Sequence, residues 1–146
     1  MPSSRKARQA VIELVRERGY REVVELGSGF GHLAIAIARA CPEVKVIAYE
    51  NSFFPWLFSL IARKWLHLPN LSLNFGNYYK ADLSNQTAFI CYYSTIGIQK
   101  TYDKLLKISN LRKDLISICF AVNQINPLIT VRLKDLMSTS IYLYQL

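Results

Sequence analysis

Two acidic residues and a cluster of glycines hold most of the chemistry legible in this chain. The segment from Val23 to His32 reads Val-Val-Glu-Leu-Gly-Ser-Gly-Phe-Gly-His. Its β-branched residues end a strand, Gly27, Gly29 and Gly31 permit close backbone approach, and Leu33 to Ala38 begins a helix of small and apolar residues. A helix start presents unpaired amides beside the positive end of its dipole, so the loop suits a ligand with anionic or hydrogen-bond-accepting groups. Glu25 lies inside the end of the strand, where a carboxylate is costly unless it meets a cation or several donors. A cationic ligand group meets that need, as does a structural pair with Arg21 or Lys45. Glu50 ends the next apolar run, where a carboxylate either accepts paired bonds from ribose hydroxyls or caps the helix that follows.

Spacing narrows the ligand. A dinucleotide fingerprint needs glycine at its first, third and sixth positions, which from Gly27 are Gly27, Gly29 and His32. The third glycine is Gly31 instead, so the glycine that lets helix and strand pack closely is missing and a nicotinamide or flavin enzyme is demoted. No Gly-Lys-Ser/Thr follows, which excludes a P-loop. An amino group, a ribose and a flat base fit Glu25 and Glu50 better than a pyrophosphate does. Cys41, Cys91 and Cys119 lack metal-type spacing and read as buried thiols, and His32 and His67 have no partner pattern, so no metal is expected.

The elements that must position these groups follow from periodicity. Ser4 is a plausible N-cap for a helix through Ala7, Ala10, Val11, Leu14 and Val15, stopped by Gly19. Glu22 to Leu26 is the first strand, the second helix runs to about Ala40, and Val44 to Tyr49 is a second strand suited to burial on both faces. Phe53 to Leu68 reads as a strongly aromatic helix with Pro55 in its first turn. Strands are predicted at Leu71 to Phe75, Thr87 to Tyr93 and Leu115 to Phe120, with a helix through Ile98, Tyr102, Leu105 and Leu106 ending near Asn110. Leu128 to Leu133 and Ile141 to Gln145 alternate as two closing strands. The class is therefore α/β with a mostly parallel sheet. Tyr92 and Tyr93 alternate faces, so one belongs to the core and the other faces the site.

Length and composition set the bounds. The 146 residues suit one domain that buries roughly two thirds of its unfolded surface. With 51% apolar and 19% charged residues, a disordered tail is excluded. The net charge of +8 favours an anionic partner, whether nucleic acid, an acidic protein or a lipid surface. The start lacks the apolar segment of a signal peptide, and the run from Phe53 to Ala62 is about half of what a bilayer span needs, so a cytoplasmic location is expected. Phe53, Phe54 and Trp56 are expected in the core; exposed beside Arg63 and Lys64 they would form a membrane or partner patch.

Glu25-Leu26-Gly27-Ser28-Gly29-Phe30-Gly31 and the acid Glu50 resemble the class I S-adenosylmethionine-dependent methyltransferases. The resemblance implies a Rossmann-like sandwich with a mostly parallel seven-stranded sheet and an antiparallel C-terminal hairpin. Residues 1–146 would form one domain, an N-terminal helix in 1–20 and the core in 21–146. It further implies S-adenosyl-L-methionine as cofactor, held by Glu25, Gly27, Ser28, Gly29, Gly31, Glu50, Asn51, Asn77 and Tyr92. In such a site Glu25 and the loop take the methionine part, Glu50 the ribose, Asn77 the adenine side, and Tyr92 and Tyr93 the methyl or substrate side. Asn77 otherwise reads as a turn cap.

A narrower likeness is to the small protein-lysine methyltransferases that include those modifying the ATP synthase c subunit and the adenine nucleotide translocase. It rests on Ser52 and Pro55-Trp56-Leu57 after the acid, on Gly76-Asn77-Tyr78-Tyr79-Lys80-Ala81-Asp82-Leu83, and on Ile141-Tyr142-Leu143-Tyr144. It implies a protein lysine as acceptor, with RNA, a small molecule or a purely binding role as the other readings. The chain departs from its relatives in three ways. Phe30 stands where many carry Asp, Ser94-Thr95-Ile96 stands where a proline is usual, and there is no Asp/Asn-Pro-Pro-Tyr motif. No catalytic side chain is assigned. The acceptor pocket is expected from Phe53 to Pro55, the loop after Tyr93, and Val122 to Pro127.

Overall fold

A computed structural model describes residues 3–108 and 111–146; the expected helix end near Asn110 lies outside them. The chain runs α1 (Arg5–Glu17), β1 (Glu22–Leu26), α2 (His32–Ala40), β2 (Lys45–Glu50), α3 (Phe53–Trp65), β3 (Leu71–Phe75), β4 (Ala88–Cys91), α4 (Thr95–Ile108), β5 (Asp114–Ile118), β6 (Ile129–Arg132) and β7 (Ser140–Gln145). A short 3-10 turn, Tyr78–Lys80, lies between β3 and β4.

The strands form one seven-stranded sheet in the order β3-β2-β1-β4-β5-β7-β6. β1 pairs in parallel with β2 and β4, and parallel pairing continues outward to β3 and β5. β7 runs antiparallel to β5, and β6 antiparallel to β7. This is the predicted mostly parallel sheet with an antiparallel hairpin. β1, β4 and β5 are buried along almost their whole length, as near-continuous apolar strands covered on both faces should be.

Two apolar cores flank the sheet. One joins α1 and α2 to the sheet through Val11, Val15, Ile37 and Val46, so the N-terminal helix is part of the main core. Ser4 caps α1 as predicted, its side chain accepting a hydrogen bond from the Ala7 amide. The other core joins α4 to the opposite face through Phe89, Ile98, Leu105 and Tyr144.

Several boundaries differ from expectation for local reasons. β5 stops at Ile118 because Cys119 turns the chain with φ of +73°, and α3 stops at Trp65 just before His67 at φ +50°. β4 ends at Cys91, so Tyr92 and Tyr93 leave the sheet. Cys41 and Cys91 are buried thiols, while Cys119 is half-exposed.

The expectation that Phe53, Phe54 and Trp56 belong to the core is overturned. Phe53 and Phe54 are exposed and Trp56 is half-buried, and Ser59 is the one fully buried residue of α3. The reason is topological: α3 packs on β3 and β2, and β3 is the sheet edge, so the side of the helix away from the sheet stays open to solvent at Phe54, Ile61 and Trp65.

Ser59 marks where α3 meets the glycine loop. Gly31, the N-cap of α2, has φ of +73°, and a Cβ there would lie 2.6 Å from the Ser59 hydroxyl. That hydroxyl donates to the Pro55 carbonyl at 2.9 Å and sits 3.4 Å from the Gly29 carbonyl. Gly31→Ala therefore combines left-handed strain with a collision and should destabilise the protein by about 2–4 kcal/mol in denaturant unfolding. Ser59→Ala should cost less in that background than in the native protein, because it removes the colliding oxygen.

Candidate functional site

The sheet order reverses between β1 and β4, and a crevice opens there at the carboxyl ends of the strands. Pairing of Leu26 with Cys91 sets the chain beyond β1, from Gly27, beside the chain beyond β4, at Tyr92 and Tyr93. The crevice is a cavity of about 880 Å³. Its floor is Glu25 and the loop from Gly27 to Phe30, one wall is Tyr49 to Ser52 with Pro55, and the other is Gly76 to Tyr79 with Tyr92, Tyr93, Gly97 and Lys100.

The loop is held mainly by β2. The Tyr49 carbonyl accepts from the amides of Gly27 and Ser28, both at 2.9 Å. The Glu50 carboxylate accepts from the Gly29 amide at 2.6 Å and from the Ser52 amide at 2.7 Å. The Gly31 amide donates to the Ser28 carbonyl. The expectation of a loop whose amides point outward unpaired is thus corrected: four of them are bonded internally, which fixes the loop before any ligand arrives. Each Glu50 oxygen takes one amide, leaving further lone pairs for a ligand.

Glu25 is buried and forms no ion pair among the described residues. Lys45, one candidate for a structural pair, bonds Glu22 at 2.7 Å instead. The Ala34 backbone, in the first turn of α2, favours the charged form of Glu25, and the N-cap of that helix, Gly31, offers no side-chain cap. Among the described residues one of its oxygens has no partner, and neither does the buried Ser28 hydroxyl. Burial, reinforced by the nearby Glu50 charge, pushes the Glu25 carboxyl up to about 8, against a lowering by the Ala34 amide. At neutral pH the acid is therefore mostly protonated, with no ion pair to it among the described residues.

The opposite wall is aromatic. Tyr93 stacks on Tyr78 with ring centroids 6.0 Å apart, and Tyr78 on Tyr79 at 4.3 Å. The Tyr93 hydroxyl reaches across to Gly27, where a Cβ would stand only 2.1 Å from it, and Gly97 leaves room for the base of the same side chain. Burial raises the phenols of Tyr93 and Tyr78 well above the ordinary range, so both stay neutral hydroxyls. Asn77 caps the 3-10 turn, accepting from the Tyr79 amide at 2.9 Å, and also lines the cavity.

Eight of the nine predicted site residues line this one cavity: Glu25, Gly27, Ser28, Gly29, Glu50, Asn51, Asn77 and Tyr92. Gly31 does not; it lies behind the loop against Ser59. Both Tyr92 and Tyr93 line the cavity, because both lie beyond the end of β4 and the alternation of a strand no longer separates them. Val122 to Pro127, expected in the acceptor pocket, lies elsewhere: the Val122 amide bonds the Tyr144 hydroxyl and the Asn123 amide bonds Gln99. Phe53 is likewise outside it, whereas Lys100 and Ser3, which carried no sequence signal, line it. Among the described residues no group of three or more His, Cys, Asp or Glu is placed to hold a metal.

No family model and no curated protein matches this chain in sequence. Solved structures do match in fold. An RNA methyltransferase from Salinibacter ruber, in complex with S-adenosyl-L-homocysteine, superposes with a TM-score of 0.83 at 20% identity, covering 99% of this chain and 93% of that one. A methyltransferase from Geobacter sulfurreducens gives 0.73 at 12% identity over 97% and 79%. An O-methyltransferase from Bacillus cereus, in complex with S-adenosyl-L-homocysteine, gives 0.67 at 16% identity, and here the chain spans 57% of the larger protein. The fold is that of the Rossmann-like methyltransferases.

The buried acid makes a pH-dependent contribution to stability. Its folded value lies above the ordinary 4.5, so that contribution is complete below about 4.5 and is lost as pH rises through about 8. Glu25→Gln, which mimics the protonated acid, should match the native protein in urea unfolding at the acid end. It should become the more stable of the two above it, by up to about 1.4 kcal/mol per pH unit across that window. A constant difference at every pH would show that Glu25 does not titrate there.

Proposed function

We propose that the cavity binds S-adenosyl-L-methionine and that the protein transfers its methyl group to the lysine side chain of a protein. The carrying observation is the pair of unpartnered buried groups, the free Glu25 oxygen and the Ser28 hydroxyl, in a cavity whose far side presents the Glu50 carboxylate. They fit the donor's parts: Glu25 and Ser28 its cationic amino group, Gly27 and Gly29 its close passage over the loop, and Glu50 with Asn51 the ribose hydroxyls. Asn77 borders the adenine side, and Tyr92 and Tyr93 the reacting side. Gly31 supports the loop from behind. When bound, the donor supplies a sulfonium-activated methyl group, so the chain needs no nucleophile of its own.

What the chain must do is orient the acceptor and keep it neutral. A lysine that starts protonated at pH 7 costs about 4.6 kcal/mol to deprotonate. Partial withdrawal from water beside Tyr78 and Tyr93 would favour the uncharged amine, and the Tyr93 hydroxyl beside Gly27 would align it by a hydrogen bond. The lysine reading draws on the local patterns around Pro55, Asn77 and Ile141 described above. RNA is the second reading, favoured by the net charge of +8 and by the name of the Salinibacter neighbour.

Thermal melting with S-adenosylmethionine and S-adenosylhomocysteine tests the site. At a hundred times the dissociation constant, ligand should stabilise the fold by about 2.7 kcal/mol. Glu50→Ala should weaken binding by about ten- to a hundredfold through loss of charge-assisted bonds. No shift with either compound would overturn the reading. Incubation with methyl-labelled donor and cell extract then identifies the acceptor: label in protein lysine supports the first reading, and label confined to RNA replaces it with the second.

A further inference from the structure

The outer face of α3 is an uninterrupted apolar stripe. Phe54, Phe58, Ile61 and Trp65 are spaced i, i+4, i+7 and i+11, which places them within an arc of about 60° on a helix. They are 77%, 53%, 57% and 81% exposed. Phe30, at the tip of the glycine loop and 49% exposed, extends the stripe by packing edge-on against Phe58, with centroids 5.6 Å apart. Exposed contiguous apolar surface of this kind on a folded domain marks an interaction site.

We infer that this face docks on the surface of an anionic lipid bilayer, with α3 lying in the interface plane. Shape and charge select that occupant. The stripe is a convex ridge whose end residues, Phe54 and Trp65, are its most exposed members, and a deformable apolar phase accepts such a ridge without a matching groove. Its last turn carries Arg63 and Lys64, and residues 51–81 contain no Asp or Glu. Aromatic side chains on one face with basic residues at the flank are the composition of an interfacial helix. The 13-residue helix is too short to span a bilayer, and no helix among the described residues is long and apolar enough to do so. A second copy is a poorer occupant, because each chain carries a net charge of +8 and two would repel. Phe30 also lines the cavity, so the docked face and the cavity share a rim.

Flotation with vesicles of phosphatidylcholine plus phosphatidylglycerol, and with phosphatidylcholine alone, tests the inference on the whole chain. The protein should float with the mixed vesicles, should bind phosphatidylcholine far more weakly, and should be released by salt. Phe54→Gln with Trp65→Gln should reduce binding by more than about tenfold. Lys64→Glu should reduce it by about fivefold or more. All three positions are exposed, so melting temperatures should stay unchanged. In a Trp56→Phe background, emission from Trp65 should shift to the blue on mixed vesicles. Failure to float with either vesicle, or equal binding to both, would overturn the inference. So would a concentration-dependent dimer that Trp65→Gln dissolves, which would assign the face to a second copy.

Discussion

The tie between the end of β2 and the glycine loop is the constraint on which the rest of the site depends. One carbonyl, from Tyr49, and one carboxylate, from Glu50, take the amides of Gly27, Ser28 and Gly29. A loop with three left-handed glycines would otherwise sample many conformations, and its ordering would oppose ligand binding. Here that ordering belongs to folding, driven by burial of β1 and β2 against the helices. The same carboxylate holds the Ser52 amide just before α3, so loop, strand and following helix share one anchor. An acid at the end of β2 therefore has a structural reason to exist before any ribose is considered.

Glu25 poses the opposite case. Among the described residues no ion pair neutralises it: Lys45 is engaged by Glu22, and one oxygen stays without a partner. A buried polar group in that state destabilises the folded chain unless it loses its proton-free form or gains a partner. The rise of its pKa is the first escape. A cationic ligand is the second, and the two are linked, since a cation in the cavity would favour the ionised acid that burial disfavours.

The parallel core was legible because the signals that specify it are local. Apolar runs at Val23, Val46, Leu71, Phe89 and Leu115 place each parallel strand to within two residues. The cavity floor was legible for the same reason, since Glu25 to Gly29 and Glu50 sit at strand ends that the topology must bring together. Ser3 and Lys100 were not, because they reach the cavity from elements whose own sequences carry no mark of it. The aromatic content of α3 misled for a different reason. Hydrophobicity predicts burial only where a second layer exists to bury against, and whether a helix hangs over a sheet edge is a property of strand order, not of the helix sequence.

That edge position explains how one short helix serves two surfaces. The inner side of α3 is pinned at Ser59, whose contact with Gly31 leaves no room for a side chain on the loop. The outer side has no packing duty, so its Phe and Trp residues are not explained by stability of the fold. Substituting them would leave the core intact, yet they lie on the helix that braces the loop and touch its tip through Phe30 and Phe58.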